Sequence, residues 1–156
     1  MFDSVLVLEP NEPCLCDTEK KYKKCCRPYL KGMPVPTPEV LVRARWTAYA
    51  ITHSQFIMTT THPDSEHYFD NENKWQAYLY RQFLMIQMFE MEIQSAEGNQ
   101  VVYNTVVQSR LNNSPVVYRQ HTATFKKHDG IWKFLSETTE NLNEEGEIVS
   151  GDDSQE

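Results

Sequence analysis

Residues 72–94, ENKWQAYLYRQFLMIQMFEMEIQ, contain the change of pattern that decides the fold. In the first half, large apolar side chains recur every fourth residue: Trp75, Leu79 and Phe83. That spacing predicts a helix over residues 72–83 with one apolar face. In the second half apolar and polar residues alternate, the apolar ones being Phe89, Met91 and Ile93. Alternation is the period of a half-buried strand, so the chain changes from helix to strand within this segment.

Three more β-rich runs follow, at residues 101–107, 116–125 and 131–135. Turn-forming residues separate the four runs, at residues 97–99 (EGN), 112–115 (NNSP) and 128–130 (HDG). Four strands joined by three short turns predict an antiparallel meander.

Two further helices are predicted before residue 72. Thr37-Pro38-Glu39 is a helix start, because it combines a capping hydroxyl, a proline at the first helical position and an acid near the positive end of the helix dipole. An apolar stripe follows it: Val40, Leu41, Ala44, Ala48 and Ile51. Ser54 is expected to cap a short second helix that ends before His62-Pro63. Helices followed by a sheet predict an α+β fold, with the helices covering one face of a curved sheet.

The length and composition are those of one globular domain. The chain has 156 residues, of which 40% are hydrophobic and 12% aromatic, enough to build a single core. The longest apolar runs, residues 5–8 and 83–86, are far shorter than the roughly 18 to 20 residues of a membrane span. The first residues lack the basic start of a signal peptide, so we expect a cytoplasmic protein with no membrane contact.

Charge is distributed unevenly along the chain, whose formal net charge is −7. Residues 140–156 contain seven acidic side chains and no basic one, with almost nothing to bury. We expect this segment to be a disordered acidic tail. Near the N-terminus six basic residues lie close together: Lys20, Lys21, Lys23, Lys24, Arg27 and Lys31.

All four cysteines lie in one short segment: Cys14, Cys16, Cys25 and Cys26. Two closely spaced pairs separated by a loop can supply the four thiolates of a tetrahedral Zn2+ site, and four protein ligands leave no open position for catalysis. Disulfides are the first alternative, although no secretion signal favours them and a bridge between adjacent cysteines is strained. A redox pair is the second, but Cys-x-x-Cys beside a βαβ unit is absent. The sequence therefore favours one structural zinc.

The basic residues around the cysteines, with Tyr22 between them, are candidates for binding an acidic partner. Between Glu12 and Lys31 there are six basic and three acidic side chains, so the net charge of +3 falls to about +1 when a tetrathiolate zinc centre is counted. That small excess makes direct RNA binding a weak expectation and favours a protein partner. The candidate contact residues are Lys20, Lys21, Tyr22, Lys23, Lys24 and Arg27.

Residues 14–30, CLCDTEKKYKKCCRPYL, resemble the SEC-C zinc motif, named for the C-terminus of the SecA translocation ATPase. The longer stretch, including residues 36–39 (PTPE), 43–50 (RARWTAYA), 61–63 (THP) and the final hairpin around residues 125–134, resembles the uncharacterised bacterial YchJ family. The family usually has Gly-Ser-Gly where this chain has Asp17-Thr18-Glu19, so we expect a different loop bend with zinc ligation retained. It commonly has His-Glu in the third strand, where this chain has Gln120-His121.

The resemblance implies a fold, a metal and a kind of partner. It implies a SEC-C-like zinc knuckle and proline-rich linker at residues 1–36, then a nuclear-transport-factor-2-like (cystatin-like cone) domain at 37–139, then the tail at 140–156. In SecA the same knuckle binds a chaperone and the ribosome, which implies an adaptor role by analogy. Many such cones dimerise through the sheet, so a homodimer is a further expectation.

A cone fold can also enclose a pocket between its helices and sheet. The residues expected there are Arg43, Trp46, Tyr49, His62, Tyr80 and His121. His121 has the strand parity of Val117 and Phe125 and so is predicted to face inward, where a hydrogen-bonded core histidine is the simpler interpretation. No phosphate-binding loop, nucleophile–base pair or open metal site is visible, which favours a binding protein. The alternative is a small-molecule-binding or isomerase- or dehydratase-like enzyme that uses this pocket.

Overall fold

The computed structural model describes residues 8–111 and 113–149 and has the predicted α+β architecture. A short 3-10 turn (Tyr22–Lys24) and α1 (Arg27–Leu30) precede the three longer helices α2 (Pro38–Ala50), α3 (Ser54–Thr59) and α4 (Glu72–Met85). The strands β1 (Ile86–Glu97), β2 (Gln100–Ser109), β3 (Val116–His128) and β4 (Ile131–Leu142) follow. Among the described residues, none of the helices has the length and apolarity that a membrane crossing requires.

The predicted helix starts are confirmed, with one difference at α3. Thr37 caps α2 by accepting a hydrogen bond from the Val40 backbone N–H, and Asn71 caps α4 in the same way through Lys74. In α3 the cap is His53, whose Nδ1 accepts from the Phe56 N–H, rather than the expected Ser54. The predicted apolar face of α4 is confirmed, because Trp75, Leu79 and Phe83 are all buried.

The four strands form the predicted antiparallel meander, in the order β1-β2-β3-β4. The expected alternation in β1 is wrong at Phe89, which is about half exposed. A bulge between Met88 and Glu90 leaves Phe89 without a partner on β2, so the apolar residues of β1 that pack on the core are Met91, which is buried, and Met88 and Ile93, which are partly buried.

The last strand is longer than the run predicted at residues 131–135, because residues 138–142 pair with the first half of β3. The first residues of the predicted acidic tail therefore belong to β4. Beyond them the chain turns at residues 143–146, and Ile148 forms an isolated bridge back to Leu142. Residues 150–156, the rest of that predicted tail, lie outside the described residues.

One continuous apolar core joins the cysteine-containing segment to the sheet domain. It runs from Cys16 and Leu30 through Leu41 and Ala44 on α2 to Phe125 on β3. Helix α2 therefore has the cysteine-containing segment on one side and the inner face of the sheet on the other.

Candidate metal centre and cone cavity

The four cysteine sulfurs form one compact cluster. All four Sγ atoms lie within 4.8 Å of one another, and Cys16 Sγ is 3.4 Å from Cys25 Sγ. A tetrahedral zinc with bonds of about 2.3 Å separates its sulfur ligands by roughly 3.8 Å, so the spacing fits a metal ion. All four thiols are free of disulfides, and only Cys25 is partly exposed. The arrangement is compatible with a metal site and does not support the disulfide alternative.

Local backbone geometry brings the two cysteine pairs together. Pro13 and Lys21 form an antiparallel bridge, and the Cys14 N–H donates to the Lys20 carbonyl, which closes the loop that carries Cys16. Within it Asp17 and Glu19 have φ of 73° and 65°. These are values that glycine adopts without strain, so the family's two glycines would suit the same backbone and no different bend is required.

Two threonine hydroxyls contact the sulfurs. Thr18 Oγ1 lies 3.0 Å from Cys25 Sγ and 3.5 Å from Cys16 Sγ. Thr47 Oγ1, from α2, lies 3.6 Å from Cys26 Sγ and 3.7 Å from Cys14 Sγ. The Thr47 side chain is fully buried, at 0% exposed. Hydroxyls at these distances can donate to thiolates, and such outer contacts orient metal ligands.

Arg43, expected in the pocket, instead ties α2 to the cysteine loop. One of its guanidinium nitrogens donates to the Cys16 carbonyl, and the side chain pairs with Glu39 at 3.2 Å. Residues three and four apart share a helix face, which puts Arg43 on the same side of α2 as Thr47.

Four of the predicted partner-binding residues, Lys20, Lys21, Lys23 and Lys24, are exposed on the surface around the cluster, and Arg27 is half-buried. Tyr22 is not available to a partner, because its side chain is only 7% exposed and packs in the core beside the cysteines. The prediction of Tyr22 as a contact residue is therefore wrong, and its side chain has a packing role.

Inside the cone, a chain of hydrogen bonds links side chains of β2, β3 and β4. Tyr103 OH donates to Glu137 Oε1 at 2.7 Å, and Glu137 Oε2 lies 2.9 Å from His121 Nδ1. His121 Nε2 in turn lies 2.7 Å from Thr105 Oγ1. The His121 and Glu137 side chains are only 13% and 22% exposed. The prediction that His121 faces inward is confirmed, and it is hydrogen-bonded on both ring nitrogens.

The environment of Glu137 keeps it ionised. Burial raises the pKa of this carboxyl, but hydrogen bonds from His121 and Tyr103 and the positive charge of Arg45 outweigh burial, and the net pKa is lowered. Burial and the neighbouring Glu137 charge raise the pKa of Tyr103 well above its usual range, so its hydroxyl stays protonated as a donor. An ionised carboxylate can only accept, so His121 Nδ1 carries a proton and donates to Glu137, while Nε2 shares a hydrogen bond with the Thr105 hydroxyl.

A cavity of about 420 Å³ lies between α2, α4 and the sheet. Trp46 and Tyr49 line it as predicted, and a smaller adjoining cavity of about 210 Å³ contains His121.

Two residues predicted for the pocket lie elsewhere. Tyr80 is 52% exposed and lines neither cavity; its neighbour Tyr78 lines the larger one. His62 is buried in the loop after α3. Its backbone N–H donates to the Phe134 carbonyl, which fixes this loop to β4.

Sequence reasoning missed the polar residues that define the cavity, Arg45, Tyr103 and Glu137, and missed Thr47 beside the cysteines. For Glu137 the signal was hidden. Phe125 pairs with Phe134 but Thr124 pairs with Ser136, so Leu135 is an extra residue in β4. Simple alternation from Phe134 points Glu137 outward, and the bulge reverses that direction. For Tyr103 the sequence does contain a signal, because Tyr103 lies two residues after Val101 and therefore on the same, inward face of β2.

Comparison with known proteins assigns the fold and the cysteine segment to described families. Residues 37–137 match the family model "YchJ, middle NTF2-like domain", and residues 11–28 match the SEC-C motif. The chain thus belongs to the YchJ family, and it carries a SEC-C segment in front of a nuclear-transport-factor-2-like domain.

Relatives and a solved structure agree with that assignment. A UPF0225 protein of Deinococcus radiodurans is 29% identical over 127 residues, covering 81% of this chain and 88% of its own. A UPF0225 protein of Xanthomonas campestris pv. campestris is 25% identical over 129 residues, covering 81% and 94%. The solution structure of a SEC-C motif-containing protein from Rhodopseudomonas palustris matches with a TM-score of 0.65 and 25% identity, over 81% of this chain and 98% of that one. The expected family and fold are confirmed.

Proposed function

We propose that the protein is a zinc-binding adaptor whose metal centre fixes a lysine-bearing segment on α2. The observation that carries the proposal is the cluster of four free sulfurs within 4.8 Å of one another. Thiolates select zinc among the abundant divalent ions, and four of them complete a tetrahedral shell. The Thr18 and Thr47 hydroxyls fit this assignment, because they would donate to sulfurs made more negative by deprotonation.

The metal would act here as a cross-link. The described residues before α2 contain only a 3-10 turn and one helical turn, too little regular structure for an independent core. Joining Cys14 and Cys16 to Cys25 and Cys26 closes the loop that presents the lysines. The role is structural, since four protein ligands leave no site for substrate.

The exposed surface around this centre favours an acidic protein partner. Lys20, Lys21, Lys23 and Lys24 all point into solvent, and the buried Tyr22 supports the segment from beneath. A long-range electrostatic attraction of this kind raises the association rate with an acidic surface and weakens with salt. The SEC-C resemblance implies a chaperone or ribosomal partner.

The lysine surface is tested by charge reversal. The variant Lys20→Glu, Lys23→Glu is compared with the wild type and with a matched control, Lys74→Glu, Arg81→Glu, whose two residues are exposed on α4. Each protein is used for affinity capture with quantitative mass spectrometry, at low and moderate salt, with and without ribonuclease. We expect the wild type and the control variant to capture a defined set of proteins that the reversal variant does not capture. These proteins should stay bound after ribonuclease treatment. Identical sets on all three proteins would contradict the proposal, and loss on ribonuclease treatment would assign the surface to RNA.

A further inference from the structure

The larger cavity has the size and walls of a small-molecule site. Its volume of about 420 Å³ lies within the usual range for ligand pockets. Four large aromatic side chains form part of its walls: Trp46 from α2, Trp75 from α4, and Phe125 and Phe134 from the sheet. Aromatic walls of this kind bind the flat or apolar part of an organic molecule.

Polar side chains also line the cavity, among them Arg45, Tyr103 and Glu137. Glu137 uses one lone pair of Oε1 for Tyr103 and one of Oε2 for His121. Each carboxylate oxygen can accept two hydrogen bonds, so acceptor capacity remains on a group that cannot donate. A ligand that reaches Glu137 must therefore bring a donor.

The charge inside the cavity is already balanced. The ionised Glu137 carboxylate and the Arg45 guanidinium both line it. The Arg45 side chain is fixed in position by two kinds of contact. Its Nη1 donates to Thr60 Oγ1 at 2.9 Å and to Thr61 Oγ1 at 3.2 Å, and its guanidinium lies over the Phe134 ring. An added cation would meet Arg45 and an added anion would meet Glu137, each in a partly desolvated space.

We propose that this cavity binds a small neutral molecule with an aromatic or apolar body and a hydroxyl group that donates to Glu137. The body packs against Trp46 and Trp75, and the hydroxyl takes the free acceptor position beside Tyr103. This site goes beyond the proposed adaptor function and does not depend on the metal centre.

The test is a series of four probes that share one ring and differ in the head group. They are 2-phenylethanol, its methyl ether, 2-phenylethylammonium and phenylacetate, titrated into the full-length protein at neutral pH by calorimetry and by tryptophan fluorescence. The alcohol should bind tightest, and the ether should bind about tenfold more weakly because its oxygen has no hydrogen to donate. Both ions should also bind at least about tenfold more weakly than the alcohol. Equal affinities, or no binding of the alcohol up to its solubility limit, would overturn the proposal.

A substitution at the polar side should change the order of preference. Glu137→Gln removes the negative charge and leaves Arg45 unbalanced, so phenylacetate should gain affinity while the alcohol loses about fivefold. The matched control is Glu140→Gln, at an exposed position of the same strand, which should leave all four affinities unchanged. If Glu137→Gln keeps the wild-type order of affinities, the hydroxyl does not bind this carboxylate. The wild-type series is decisive even if the variant fails to fold.

Discussion

At the scale of single residues, the cysteine loop contains side chains at backbone positions that suit glycine. Asp17 and Glu19 both have positive φ. A left-handed conformation costs a residue with a Cβ roughly 1–2 kcal/mol, and aspartate tolerates it better than glutamate. The strain at Glu19 is therefore the larger of the two, and it lies in the loop that carries Cys16.

Replacing Glu19 with glycine is predicted to stabilise the protein. Relief of the strain should raise the free energy of unfolding by about 1 kcal/mol, measured by urea denaturation of the metal-loaded protein. Lys20→Gly is the matched control, because position 20 has no positive φ and glycine there should destabilise through unfolded-state entropy. Equal effects of the two substitutions would contradict the account of the loop.

Thr47 is the residue through which α2 reaches the sulfurs, so its hydroxyl should strengthen metal binding. Thr47→Val keeps the shape and removes the donor to Cys14 and Cys26. We expect metal affinity to fall about tenfold or more, as measured by competition with a coloured chelator. Thr122→Val, on β3, is the control and should retain the wild-type affinity. An unchanged affinity in Thr47→Val would reduce this hydroxyl to a packing role.

At the scale of elements, α2 serves both candidate sites. Arg43 and Thr47 face the cysteine loop, and Arg45, Trp46 and Tyr49 line the cavity. Its predicted apolar stripe was sufficient to identify the helix. The stripe did not predict Thr47, because a threonine in a helix looks the same in sequence whether it contacts sulfur or packs in a core.

The strands show where sequence reasoning stops. Alternation located all four strands and the inward direction of His121, and turn residues located the three hairpins. Alternation is wrong at Phe89, which a bulge leaves exposed, and it points Glu137 outward where a second bulge turns that side chain into the cavity. Bulges depend on the match between two strands, and neither strand alone encodes that match. The four zinc-ligand candidates were identified correctly as a cluster because their spacing is local.

Because the Glu137 carboxylate accepts hydrogen bonds from Tyr103 and His121, the free energy of unfolding should fall in acid. The folded-state pKa of Glu137 is lowered, so its contribution to stability is present above the unfolded pKa, near 4.5, and is lost as pH falls through the folded pKa. Urea midpoints between neutral pH and pH 3 should therefore fall more steeply for the wild type than for Glu137→Gln. Acid also releases metal from thiolates, but this affects both proteins and the difference between them isolates Glu137. Glu140→Gln is the control, and its curve should run parallel to that of the wild type. A Glu137→Gln curve that also runs parallel to the wild type would contradict the assignment.

At the scale of the whole molecule, the cysteine-containing segment and the cone share one continuous core. A single core runs from Cys16 through α2 to Phe125, and Arg43 and Thr47 connect across the boundary between the segment and the cone. Loss of the metal should therefore loosen the segment and also uncover one side of α2.

The most direct test of the zinc assignment is the metal-to-protein ratio in native mass spectrometry, with the element identified by plasma mass spectrometry. Protein purified without chelator should carry one zinc ion per chain, and the Cys14→Ser, Cys16→Ser variant should carry none. A folded wild-type protein without bound metal, or a variant with the same metal content as the wild type, would contradict the assignment of the four cysteines as a zinc site.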